Sequence, residues 1–119
     1  MAVVIRLSNH FYDELVMSIA DTFEPNLAEK GAGTAREDVV IALRSPARVT
    51  KHNKFVELSP RGVQWLHMWL GYEAFGYGRW CDWGREGVPL ERAGQRVYHE
   101  LDELLERNET KWGLRRIEI

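Results

Sequence analysis

Residues 59–83, SPRGVQWLHMWLGYEAFGYGRWCDW, set the tightest limit on how this chain folds. They hold four of its five tryptophans, Trp65, Trp69, Trp80 and Trp83, with Tyr72, Phe75 and Tyr77 between them. Ser59 suits an N-cap, where a hydroxyl accepts an otherwise orphaned backbone N–H. Pro60 suits the first helical position, where its missing N–H has no partner to lose. Through Val63, Trp65, Leu66, Met68, Trp69, Leu70, Tyr72, Ala74 and Phe75 the helix is apolar on nearly every side. Such a helix is buried or keeps a face for a partner, so the spacing predicts a core helix over 63–75 with Trp69 inside.

A chain of 119 residues is long enough to bury this helix in one domain without metal or disulfide support. The lone cysteine, Cys81, closes no intrachain disulfide, and the opening MAVVIRLSN is too short an apolar run for a signal peptide or a membrane span. A cytoplasmic protein with no membrane attachment is expected. The net charge of −2 argues against a generally basic nucleic-acid coat protein. Charge is uneven, however: residues 44–61 carry Arg44, Arg48, Lys51, Lys54 and Arg61 against Glu57 alone, a net of +4, whereas residues 1–43 come to −4.

Taken in order, residues 2–7 (AVVIRL) alternate Val3, Ile5 and Leu7 against Val4 and Arg6, the pattern of a half-buried strand. Ser8 or Asn9 caps a helix with Phe11, Tyr12, Leu15, Val16, Ile19, Ala20 and Phe23 at helical spacing, closed by Pro25. Residues 26–33 read as a connection. Thr34 and Glu37 have capping-box spacing for a helix to about Arg44, although Val39, Val40 and Ile41 would suit a strand equally. Residues 47–58 read as a β-hairpin turning at His52-Asn53, where asparagine tolerates a positive φ. That register sets Lys51 opposite Lys54, Val49 opposite Val56 and Ala47 opposite Leu58 on one face. Thr50–Phe55 and an Arg48–Glu57 ion pair lie on the other face.

Glycines at 76, 78, 84 and 87 interrupt the chain around RWCDW, and Pro89 opens a last helix to about Asn108 on a Leu90, Val97, Leu101, Leu104 stripe. In that helix Gly94 allows close approach to an aromatic neighbour, and Glu103 and Arg107 form an i,i+4 pair. Trp112 and the tail are expected to dock back as an edge strand. The fold class is α+β: a small antiparallel sheet containing the 47–58 hairpin, packed against about four helices.

IRLSNHFYDEL at 5–15 and RVTKHNKFVEL at 48–58 resemble small uncharacterised proteins of actinobacteria and their phages, with a strand, an Arg-Phe-Tyr-Asp helix start and a Thr-Lys-x-His hairpin. This chain departs from that layout in having His10 where an arginine is commoner and a longer segment between the two pieces. The resemblance implies an accessory protein of a mobile element and carries no activity.

The residues themselves separate the function classes. Thirteen aromatics in 119 residues exceed what a small core readily hides, and Trp, Tyr and Arg dominate interface hot spots. Tyr77, Arg79, Trp80 and Trp83, on a glycine-flanked loop, are therefore the candidate protein-binding residues, and a protein is the expected partner. The alternative is a winged-helix-like DNA-binding regulator that touches phosphates through Arg44, Arg48, Lys51, Lys54 and Arg61. Its would-be recognition helix opens with Arg36, Glu37 and Asp38, which brings two carboxylates toward the phosphates.

Catalytic and cofactor readings are weaker. Cys81, Asp82 and His99 match no catalytic signature. The Gly31–Thr34 run lacks the lysine of a phosphate loop. The histidines and Cys81 lack zinc-site spacing, and His67 reads as a hydrogen-bonded core histidine. A non-enzymatic protein without metal or cofactor is expected.

Overall fold

The computed structural model describes residues 2–21, 35–76 and 78–112. They belong to two compact units, Met1–Gly62 and Val63–Ile119. The class is α+β, with a three-stranded antiparallel sheet that contains the β2–β3 hairpin, and four α-helices among the described residues.

In the first unit, β1 (Val3–Ser8) leads directly into α1 (Asn9–Asp21), then α2 (Ala35–Arg44), β2 (Arg48–Val49) and β3 (Asn53–Leu58), with β3 central in the sheet. The alternation read in β1 is real: Ile5 and Leu7 are buried while Val4, Arg6 and Ser8 face solvent. Val56 and Leu58 of β3 are buried as well, and α1 and α2 pack on the sheet with Phe11, Leu15, Ile19, Val39 and Leu43. Each fully buried side chain of this size stabilises the unit by about 1.5–3 kcal/mol. The Ser8 hydroxyl accepts the Phe11 N–H, 3.4 Å away, and so caps α1 as expected. Arg36 of α2 donates to the Ile19 carbonyl at 3.3 Å, a cation at the negative end of α1.

The hairpin exists, but its register differs from expectation. Arg48 pairs with Phe55 and Val49 with Lys54, a slip of two residues. Because side chains alternate with period two, the slip keeps every residue on the same side of the sheet and changes its partner, but Ala47 and Val49, expected on an apolar inner face, are exposed because β2 is a short edge strand. The loop is therefore Lys51-His52 and not His52-Asn53. Thr50 donates its N–H to the Asn53 carbonyl at 2.8 Å, and its hydroxyl accepts the Asn53 N–H at 3.1 Å. The tip is tied to the start of α1: Asn9 donates its side-chain amide to the Lys51 carbonyl and its backbone N–H to the His52 carbonyl, both at 2.9 Å. No residue other than glycine has a positive φ among the described residues, so the expected left-handed Asn53 is not used. The lysines no longer oppose each other, and the Arg48–Glu57 cross-strand pair is replaced by Arg48 lying over the Phe55 ring.

α3 (Pro60–Glu73) begins where expected, with the Ser59 hydroxyl accepting the Gly62 N–H at 3.0 Å. That hydroxyl also donates to Asp38 at 2.7 Å. In the second unit α3 buries Val63, Leu66, Trp69 and Leu70, leaves Trp65 half-buried, and ends with Tyr72 exposed. A 3-10 helix, Cys81–Glu86, then joins directly to α4 (Gly87–Trp112), which starts two residues earlier and runs four residues further than the sequence suggests. Leu90, Val97, Leu101 and Leu105 form its buried stripe, and the Arg107–Glu103 pair closes at 3.1 Å. The expected connection at 26–33 and the tail after Trp112 lie outside the described residues, but Trp112 itself, expected to begin an edge strand, is the last residue of α4 because the helix continues past Asn108.

Candidate functional site

The segment after α3 separates the two indoles that the sequence treats alike. Trp80 is only 1% exposed and belongs to the core. Its ring stands edge-on to Trp69, with centroids 6.1 Å apart. Two glycines of α4 make room for it. A Cβ at Gly87 would meet the Trp80 carbonyl oxygen at 1.9 Å, and a Cβ at Gly94 would meet Trp80 Cζ3 at 2.9 Å. The expectation that Trp80 faces outward is thus corrected, because Gly94 of α4 leaves the space that its ring occupies.

Trp83 has the opposite environment. Every residue of the 3-10 helix is exposed, and Trp83 keeps 42% of its surface in solvent. Its backbone is nevertheless held, with its N–H donating to the Trp80 carbonyl at 3.2 Å and Gly84 at φ 60° turning the chain into α4. Buried Trp80 is the root of a short rigid turn, and Trp83 is its outward side chain.

Arg79 is less available than expected. Its backbone N–H donates to Glu73 at 3.1 Å, and its guanidinium lies 3.5 Å from the same carboxylate oxygen, with both side chains mostly covered. It braces the turn against the end of α3. Tyr77 lies outside the described residues.

The basic island is also divided. Lys54 is 3.8 Å from Asp13 and stands 4.4 Å over the Tyr12 ring, while Arg61 pairs with Asp38 at 3.2 Å. These two cations answer acids of the same unit. Arg44, Arg48 and Lys51 are exposed, at the end of α2, on β2 and at the hairpin tip. The exposed line of α2 runs Glu37, Ile41, Arg44, which offers a duplex one cation and one carboxylate.

The remaining polar groups do not form a catalytic constellation among the described residues. Desolvation, and then the adjacent Asp82 carboxylate 3.6 Å from the sulfur, push the Cys81 thiol pKa up, the opposite of what a nucleophile needs. His99 lies instead against the rings of Phe75 and Tyr98. His67 is the hydrogen-bonded histidine expected, 3.0 Å from Asp102 and stacked on Tyr98 at 4.3 Å. No group of three metal-ligating side chains occurs among the described residues, and no helix among them is long and apolar enough to cross a membrane.

What sequence reasoning missed is the solvent face of the sheet. The alternation of β1 puts Arg6 on that face, but nothing in the sequence pairs β1 with β3 to bring Arg6 beside Phe55. Among known proteins, no family model, no curated protein and no solved structure matches this chain.

Proposed function

We propose that this chain is a non-enzymatic accessory protein that acts by binding another protein, with Trp83 as the central contact. The observation that supports this reading is the contrast between the two indoles. Trp80 is locked in the core, while three residues later Trp83 is held out on the same short turn at 42% exposure. Leaving so much of an indole in water is unfavourable unless a partner covers it, and tryptophan is among the residues most enriched at binding hot spots. The rigid backbone favours binding too, since little conformational freedom remains to be lost on association.

The test is affinity capture from the native host in the presence of nuclease, comparing wild type with Trp83→Ala. A protein recovered by wild type should bind the variant at least about 30-fold more weakly, the equivalent of about 2 kcal/mol. The variant should still fold and melt cooperatively, because Trp83 lies at the surface with 42% of it in solvent and is not part of the core. Equal recovery by the two chains refutes the assignment of Trp83.

A further inference from the structure

The solvent face of the sheet carries an arrangement that the Trp83 turn does not use. Central strand β3 pairs Phe55 with Arg6 of β1 on one side and with Arg48 of β2 on the other. Directly paired residues share a face, so Arg6, Phe55 and Arg48 form one row across all three strands. Arg48 places its guanidinium carbon 5.1 Å from the Phe55 ring centroid, over the ring. Both arginines are exposed, and Phe55 is half-buried beneath. Next to this row Val4 is 53% exposed, and the one acid of the strands on this face is Glu57.

We propose that this face is a platform for single-stranded nucleic acid. An unpaired base stacks on the outer plane of the Arg48 guanidinium, which Phe55 supports from below, while Arg6 takes a neighbouring phosphate. Three features select this partner. A guanidinium backed by an aromatic ring offers a flat cationic surface, and unpaired bases stack on such planes as well as on rings. Two cations flanking one aromatic match a ligand that alternates π faces with negative charge, whereas an acidic peptide would use the charges and leave the ring idle. The surface is also the open face of a three-stranded sheet, a flat platform on which splayed, unpaired bases stack. The site lies wholly in residues 1–62 and is independent of Trp83.

The experiment is fluorescence anisotropy of a labelled short oligothymidine with the full chain, compared with a duplex of equal length and with polyglutamate. We expect saturable binding of the single strand, at least about tenfold tighter than the duplex, with log K falling against log salt at a slope of about −1.4, one phosphate being neutralised by Arg6 and one by the charge of the stacked Arg48. Arg6→Ala should reduce the steepness by about 0.7. Arg48→Lys is the decisive variant, because it keeps the charge and removes the plane. It should weaken binding by about 5-fold or more, in line with the loss of one stacked base, with the salt slope unchanged. Both sites are solvent-exposed, so the variants should fold normally, as circular dichroism will verify. Absence of saturable binding at low salt, equal affinity for duplex or polyglutamate, or wild-type affinity in Arg48→Lys each overturns the proposal.

Discussion

Replacing Gly94 with alanine sets two opposed effects against each other within α4. The added Cβ would stand 2.8 Å from Ala74 Cβ and 2.9 Å from Trp80 Cζ3. Carbon atoms rest comfortably at about 3.5–4.0 Å, so the new methyl intrudes by roughly 0.7–1 Å on both neighbours. Neither neighbour yields easily. The Ala74 Cβ is one bond from the backbone, and Trp80 is buried and set edge-on to Trp69. Overpacking of this kind costs about 1–3 kcal/mol, while exchanging glycine for alanine inside a helix returns about 0.8–1 kcal/mol. With two stiff obstacles the upper part of the overpacking range applies, which leaves a net loss of about 1–2 kcal/mol. All five tryptophans lie beyond residue 62, so urea unfolding followed by tryptophan fluorescence reads the second unit directly. The midpoint should fall at an unchanged m-value. In a Trp80→Phe background, where the ring is smaller, the same substitution should cost at least about 0.5 kcal/mol less. A Gly94→Ala midpoint equal to or above wild type would refute the reasoning, because it would mean that the Trp80 ring is free to move.

Trp69→Ala should destabilise the second unit by about 3–5 kcal/mol in the same assay, as truncation of a buried tryptophan does; a loss below about 1 kcal/mol would contradict its place in the core. The Tyr12 hydroxyl donates to the Leu43 carbonyl, and burial, with Asp13 adding to it, holds its pKa above the ordinary tyrosine value of 10.0. The folded chain therefore keeps this proton to higher pH than the unfolded chain. The resulting stabilisation is complete below about pH 10 and is lost as pH rises through the folded value. Tyr12→Phe should lower neutral-pH stability by about 0.5–1.5 kcal/mol and flatten the alkaline decline; a decline parallel to wild type above pH 10 would assign it to other groups.

Much of the architecture was legible because it is local. Alternation in residues 3–8, the Ser8 and Ser59 caps and the Glu103–Arg107 pair each depend on neighbours within a few positions, and all are present in the structure; the stripe of the last helix is present too, except that Leu105 takes the buried place expected of Leu104. Burial of Trp69 followed from a helix with almost no polar side. The hairpin register was not legible. Two registers two residues apart turn the same side chains to each face, so alternation is blind to the choice, and the tip is held by Asn9, more than forty residues away in the chain. The strength of the basic island was misread for a similar reason. A sequence window counts charges by chain position, whereas Lys54 and Arg61 are answered by Asp13 and Asp38, which lie outside that window.

The two indoles of RWCDW mark the boundary most clearly. By itself the sequence determined that a glycine-flanked loop carries two tryptophans and that Gly94 leaves room for an aromatic ring. Only the tertiary structure decided which ring enters that room. Gly94 of α4 stands against the Trp80 ring, while Trp83 remains partly in solvent, because the fit of a ring into a slot depends on atoms brought together by folding and not on the residues beside it in the chain.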